Sequence, residues 1–403
     1  MNYCKECLYP SVSVLLNIHD DGICSGCRSH KAFLESSEEF WIKREKIFQE
    51  LLNTNKNDSY YDCIVPVSGG KDSYYQTHVI CKKYNLKPLL VTYDGNNWLP
   101  EGEYNRNQLK NKFDIDHIMW SPSVDVLKKL NRLAFNKIGD MNWHDHCGIV
   151  TAPIIMAVRF KIPLIIWGET EWDIAGIYGP EDVVEFSNRS RHENSLRGYE
   201  WYDFINDNEN KLTEKDFAWA KYPSDEEILS VGVRGIYIGN FFRWDGKQNA
   251  ELMQKEYDWK PAEKPFERTY RNFSNLDNRY SNGASDLLKF VKFGYGRCTD
   301  HASKDIRNNY INREEGVELV RKHDHIVSKD LEHWLDYVGI SNNSFWQTAD
   351  KFRDPRVWTI KNKQWYKNNL WGGKSAYGDV YLSDDKISEF IEKKNHITKN
   401  IIL

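Results

Sequence analysis

Val65-Pro66-Val67-Ser68-Gly69-Gly70-Lys71-Asp72-Ser73 decides the fold of this chain, because an apolar run stops at a Ser-Gly-Gly turn from which a helix can start. A strand feeding such a turn leaves backbone N–H groups at a helix N-terminus without partners, and their partial positive charge favours phosphate or pyrophosphate. Gly69 and Gly70 let the backbone approach a ligand closely. Ser68 and Ser73 add hydroxyls, Lys71 adds a cation, and Asp72 is a carboxylate suited to a magnesium ion that travels with phosphates. The Gly-x-x-x-x-Gly-Lys-[Ser/Thr] spacing of a Walker A loop is absent, which removes the main support for a kinase-like or motor ATPase.

Working outward, residues 61–67 are rich in Ile, Val and Tyr, and residues 71–84 carry no Gly or Pro and can run as a helix. A second strand over 86–93 ends at Asp94-Gly95. Strand, phosphate turn, helix and strand make a βαβ unit, which places ligands at the carboxyl ends of the strands. Here the sequence resembles the PP-loop ATP pyrophosphatases, whose signature is Ser-Gly-Gly-x-Asp-Ser after the first strand. The resemblance implies cleavage of ATP between its α and β phosphates, so that AMP activates a carbonyl oxygen for displacement.

Further elements follow from pattern. Residues 117–120 read as a third strand, 124–138 as an amphipathic helix, and 149–160 as a helix interrupted by Pro153. The buried strand 163–169 ends in Gly168 and Glu169 on the rim that carries Ser68 to Ser73, and Glu169, Glu171 and Asp173 could bind magnesium or supply a general base. A polar helix is expected over 30–53. The expected organisation is a knuckle at 1–30, a helix and linker at 31–58, a nucleotide domain at 59–180, and a mostly helical substrate region at 181–403. The fold class is α/β, a parallel sheet flanked by helices.

Cys4-Lys5-Glu6-Cys7 and Cys24-Ser25-Gly26-Cys27 form two Cys-x-x-Cys pairs sixteen residues apart, a spacing that fits one tetrahedral zinc ion. Four protein ligands close such a site, so its zinc holds structure and does not carry catalysis. His144-Asp145-His146-Cys147 is dense in metal-ligand types, but a substrate contact or proton handling beside a helix starting near Gly148 fits it better than a second metal. His144 and Glu169 are the candidate bases. Gly294-Tyr295-Gly296-Arg297 reads as a flexible turn presenting Arg297, able to clamp a substrate carboxylate or diphosphate or to form a salt bridge.

The 403 residues, 40% of them apolar, suffice for two or three domains with a real core. A formal net charge of −4 gives no bias toward nucleic acid. No basic start followed by an apolar run and no stretch of membrane-spanning length is present, so a cytoplasmic protein is expected.

The four-cysteine knuckle, Val-Ser-Gly-Gly-Lys-Asp-Ser-Tyr-Tyr, and Gly-Ile-Val-Thr-Ala-Pro leading to Ile-Pro-Leu-Ile-Ile-Trp-Gly-Glu together resemble the N-acetyl sugar amidotransferases of surface-polysaccharide and nonulosonic-acid pathways. The resemblance covers residues 1–180. It implies conversion of an acetamido group on a nucleotide-linked sugar to an acetamidino group, with ATP, magnesium and structural zinc as cofactors. Ammonia would come from a glutaminase subunit of the imidazole-glycerol-phosphate-synthase type with a cyclase-like barrel companion. In that scheme Ser68, Gly69, Gly70 and Ser73 hold pyrophosphate, Lys71 neutralises developing charge, Asp72 positions magnesium, and Asp94 meets the ribose or adenine edge. Transfer-RNA thiolation competes, but it requires a reactive Cys pair or trio and a basic RNA face that the sequence lacks. A non-catalytic zinc-knuckle scaffold leaves the phosphate turn unexplained.

Overall fold

In the computed structural model, residues 1–56, 59–168, 175–205 and 210–400 are described. Five short strands form one parallel sheet: β1 (Cys63–Pro66), β2 (Pro88–Tyr93), β3 (His117–Trp120), β4 (Leu164–Trp167) and β5 (Arg234–Tyr237), in the order β3-β2-β1-β4-β5. Near-continuous apolar strands are what a sheet covered on both faces requires, and all six residues of β2 are buried. Alternate side chains divide between two cores. Ile64, Leu89, Val91 and Ile165 face Leu127, Leu130 and Ala152 from α5 (Val124–Ile138) and α6 (Trp143–Phe160). Val65, Leu90, Leu164 and Ile166 face Phe48, Tyr74, Leu109 and Met253 from α2 (Glu38–Thr54), α3 (Lys71–His78), α4 (Pro100–Phe113) and the helix Gly246–Tyr257.

The strand order reverses between β1 and β4, and the Ser-Gly-Gly turn leaves β1 at that switch point, where open α/β sheets leave a crevice. The parallel α/β expectation holds. The sheet nevertheless runs past residue 180: β5 pairs with β4, and Tyr257 of the next helix packs on Tyr74 of α3 at 6.3 Å. The expected unit 59–180 thus contains four of the five strands.

Three element boundaries differ from expectation for local reasons. The helix expected over 30–53 is two, α1 (Ser25–Leu34) and α2, because Ser37 caps a new start by accepting from Phe40 N at 3.2 Å, with Glu38 and Glu39 in the first turn. The uninterrupted helix over 71–84 is α3 followed by a wider π turn, Val79–Lys83. α6 begins at Trp143 and contains Pro153. Gly148 is therefore not its start; a Cβ there would lie 2.2 Å from the Tyr93 ring of β2, so glycine permits helix and strand to touch.

Beyond residue 280 the chain is helical, with Asn282–Phe293, Arg297–Arg307 and Arg313–His323 in sequence, followed by a three-stranded antiparallel sheet over Thr359–Asp379 and the helix Asp384–Asn400. The N-terminal knuckle docks on these helices. Leu8 N donates to Ser303 Oγ at 3.3 Å, and Tyr9 donates to Asp300 at 2.9 Å.

Candidate active site and metal centre

The turn after β1 is held from both sides. Ser68 N donates to Ser73 Oγ at 2.8 Å and Gly70 N to Ser68 Oγ at 3.3 Å, while Trp259 Nε1 donates to the Gly69 carbonyl at 2.9 Å. Gly69 has φ +79°, and a Cβ on it would meet Arg106 N of α4 at 2.7 Å, so both the left-handed backbone and the packing require glycine. Gly70 caps α3 without a side-chain bond. Ser68, Gly70, Lys71 and Asp72 line a cavity of about 550 Å³, with Lys71 Nζ bonded to Asp72 Oδ2. Ser73 and Gly69 stand behind the wall, where Ser73 braces the turn and Gly69 sets its shape.

A second part of the lining comes from a distant part of the chain: Arg271, Asp277, Arg297, His301 and Lys304. Arg297 pairs with Asp286 at 2.9 Å, and that carboxylate holds the guanidinium above its usual range. The salt bridge and the cavity position therefore coexist. His301 bonds Thr269 Oγ1 through Nδ1 at 2.7 Å, and burial with Arg271 nearby holds it well below the ordinary imidazole range. Burial raises the Asp277 carboxyl, opposed by Arg297 and Lys71. Arg271, Asp277 and Lys304 carry no local motif; only their convergence in space marks them.

Two expected site residues fall elsewhere. Asp94 accepts from Asn96 N at 2.9 Å, Trp98 Nε1 at 2.7 Å and Ser121 at 2.9 Å, which fixes the segment after β2 and keeps it off the cavity wall. His144 is 2% exposed, with Nε2 at 2.8 Å from Asn131 Nδ2 and Nδ1 at 3.3 Å from Tyr93 OH. Burial, aided by His146, pushes it down to about 3, so it is a neutral core histidine and not a base poised near neutrality. His146 bonds Asp140 at 3.1 Å, and burial pushes the Cys147 thiol up to about 12. Glu169, Glu171 and Asp173 lie outside the described residues.

Among the described residues one cluster could hold a metal: Cys4, Cys7, Cys24 and Cys27, all buried, with ligand atoms within 4.8 Å of one another. Sγ separations are 3.9 Å for Cys4–Cys27 and 3.6 Å for Cys7–Cys24. Four sulfurs about 2.3 Å from one tetrahedral ion stand about 3.8 Å apart, so the set fits a single ion. A four-iron cluster, with a separate iron for each thiolate, needs a wider set. Backbone N–H groups support the sulfurs: Cys24 N donates to Cys4 Sγ at 3.3 Å and Cys27 N to Cys24 Sγ at 3.4 Å. Arg307 Nη2 reaches Cys24 Sγ at 3.5 Å and Cys7 Sγ at 3.8 Å, and the same residue lines the cavity.

Residues 267–371 match the family described as "LPS biosynthesis protein WbpG-like, C-terminal domain". A stretch of 114 residues is 26% identical to the uncharacterized protein MJ1599 of Methanocaldococcus jannaschii, covering 28% of this chain and 40% of that relative's length. Among solved structures, the chain overlays the U34-tRNA thiolase NcsA from Methanococcus maripaludis with its [4Fe-4S] cluster at 14% identity and a TM-score of 0.32, covering 77% of this chain and 87% of that one. It overlays NMN synthetase from Francisella tularensis at 12% identity and a TM-score of 0.28, covering 57% of this chain and 98% of that one. The segment 267–371, which is similar to the C-terminal domain of the WbpG-like LPS biosynthesis proteins, contains Arg271, Asp277, Arg297, His301 and Lys304, which line the same cavity as the Ser68–Asp72 turn.

Proposed function

We propose that this protein is an ATP-dependent amidotransferase that converts an acetamido group of a nucleotide-linked N-acetyl sugar to an acetamidino group. The observation that carries the reading is one cavity with two walls: a phosphate-type turn on one side and a WbpG-like segment rich in cations on the other. An amide carbonyl is a poor electrophile whose oxygen is a poor leaving group. Its oxygen therefore attacks the α-phosphorus of ATP and releases pyrophosphate, giving an adenylyl imidate. Ammonia adds at the imidate carbon, a proton is lost, and AMP departs with the original oxygen.

In this scheme Ser68, Gly70 and Lys71 hold the phosphates and Asp72 holds magnesium, so the turn works by electrostatic stabilisation and positioning. Arg297 and Lys304 face the anionic part of the sugar substrate. With His144 committed to the core, Asp277 replaces it as the group that takes the proton from the ammonia adduct, since burial raises its affinity for protons and it lies on the cavity wall. Zinc in the four-cysteine site holds the knuckle against the far wall. Ammonia comes from a separate glutaminase subunit and its cyclase-like companion.

The test is to incubate the protein with ATP, magnesium, ammonium and a nucleotide-linked diacetamido uronic acid, beside a reaction containing transfer RNA and a sulfur donor. AMP and pyrophosphate formed only with the sugar, with one amide oxygen replaced by NH, is the expected result; AMP formed only with RNA replaces the reading with thiolation. The placement of cysteines weighs against the latter, because no described cavity residue is a cysteine and Cys63, Cys147 and Cys298 are buried. Asp277→Asn should lower turnover about 10²-fold or more while leaving ATP binding intact.

A further inference from the structure

The lining of the cavity is not all charged. α1 and α2 contribute Phe33 and Trp41, and the segment after β5 contributes Phe242 and Trp244. Phe33 and Trp41 stack with ring centroids 6.4 Å apart. Trp244 packs edge-on against Tyr75 of α3 at 5.3 Å, and two residues later a Cβ on Gly246 would lie 3.1 Å from Lys71 Cε. The aromatic lining is thereby continuous with the cation of the phosphate turn.

Two indole nitrogens in this part of the lining are unsatisfied. Trp41 Nε1 and Trp244 Nε1 are buried without a hydrogen-bond partner. Indoles elsewhere generally find acceptors: Trp98 has Asp94, Trp143 has the Tyr199 carbonyl, Trp259 has the Gly69 carbonyl, and Trp334 has Asn131, with Trp358 in the C-terminal core an exception. Buried donors left unpaired cost free energy, and a ligand carrying acceptors recovers it. Aromatic faces, unpaired donors and an adjoining phosphate turn together match one class of ligand.

We propose that Phe33, Trp41, Phe242 and Trp244 form a nucleobase subsite, in which a planar base lies against the aromatic side chains and its carbonyl or ring-nitrogen acceptors receive the Trp41 and Trp244 N–H groups. The phosphates of the same nucleotide extend toward Lys71. The inference rests on the phosphate reading of the turn and not on the amide chemistry. Two nucleotides could supply the base, ATP itself or the nucleotide that carries the sugar.

Calorimetric titration of the full chain with pyrophosphate, ADP, UDP, CDP and GDP, in the presence of magnesium, separates these cases. At least one nucleoside diphosphate should bind ten-fold or more tighter than pyrophosphate, as base stacking on aromatic residues supplies. Trp41→Phe and Trp244→Phe keep a ring and remove the donor, so each should weaken that nucleotide about five- to ten-fold and leave pyrophosphate unchanged, with the melting temperature as a check on folding. Preference for ADP assigns the subsite to the adenine of ATP, and preference for another diphosphate assigns it to the sugar nucleotide. If no nucleoside diphosphate exceeds pyrophosphate, or if both Phe variants bind nucleotide as the native chain does, the subsite is overturned. Loss of pyrophosphate binding with nucleotide binding retained, and still weakened in the Phe variants, keeps the subsite and removes the phosphate role of the turn.

Discussion

The two walls of the cavity are built on opposite plans. The Ser68–Asp72 wall is a short local sequence on a turn whose backbone is locked by Ser73, Trp259 and α4, so its chemistry is set by residues adjacent in the chain. The far wall gathers Arg271, Asp277, Arg297 and Lys304 from a helix and the irregular chain before it, and it is tied through Arg307 to the cysteine cluster at the other end of the sequence. In the proposed reaction the turn at the switch point would fix the chemistry, and the wall assembled from distant segments would select what reacts.

If that division holds, the largest effect belongs to the near wall. Asp72→Asn should reduce AMP formation about 10²- to 10³-fold, with sugar binding unchanged. Normal turnover in this variant would remove the magnesium assignment and with it the contrast between the walls. Cys24→Ser acts on the far wall from a distance. It should abolish metal retention, measured by elemental analysis, and lower the melting temperature, because the binding free energy of a closed site is folding free energy. Arg307 would then lose the thiolate it contacts at 3.5 Å, and affinity for the sugar nucleotide should fall more than affinity for pyrophosphate. Native protein free of metal after purification without chelators would break the link at its origin.

Arg297 tests the far wall more directly. Arg297→Lys keeps a cation beside Asp286 but gives up the planar fork, so the KM for the sugar nucleotide should rise about ten-fold with kcat little altered. Arg297→Ala is the poorer probe, since it leaves the buried Asp286 carboxylate without its partner. A fall in kcat with KM unchanged would move Arg297 from selecting substrate to stabilising the transition state.

The same contrast governs what could be read in advance. β1 to β4 were legible because apolar runs bounded by turn residues have few other uses in a chain of this kind. β5 was not: Arg234-Gly235-Ile236-Tyr237 is short, polar at its start, and contains a glycine that exists for the Trp167 ring, whose nearest atom would lie 2.4 Å from a Cβ there. Gly294 and Gly296 signalled a flexible turn and prove to be the joint between two helices: Gly294, at φ +73°, ends Asn282–Phe293, and Gly296 caps Arg297–Arg307. Arg297 was found through that signal, whereas Arg271 and Lys304 had none. The convergence of the four cysteines was legible because ligand spacing is itself local.

His144 is the instructive failure, and the smallest predicted effect on catalysis. Its neighbours looked like chemistry, but a helix sends adjacent side chains in different directions, and α6 turns His144 into the core against Asn131 and Tyr93. Replacement by Gln should change turnover less than three-fold. Its signature lies in stability. The folded histidine is held down to about 3 while the unfolded chain titrates near 6.5, so between those values the unfolded state binds the extra proton, and the native protein loses stability as pH falls from 6.5 toward 3. His144→Gln removes that loss. The variant should be less stable than the native protein at pH 7.5, and by pH 5 the gap should narrow by about 2 kcal/mol, read from denaturant midpoints at the two pH values. A gap that stays constant would mean that His144 is not held neutral by the fold, and would return it to the list of bases that could serve the near wall.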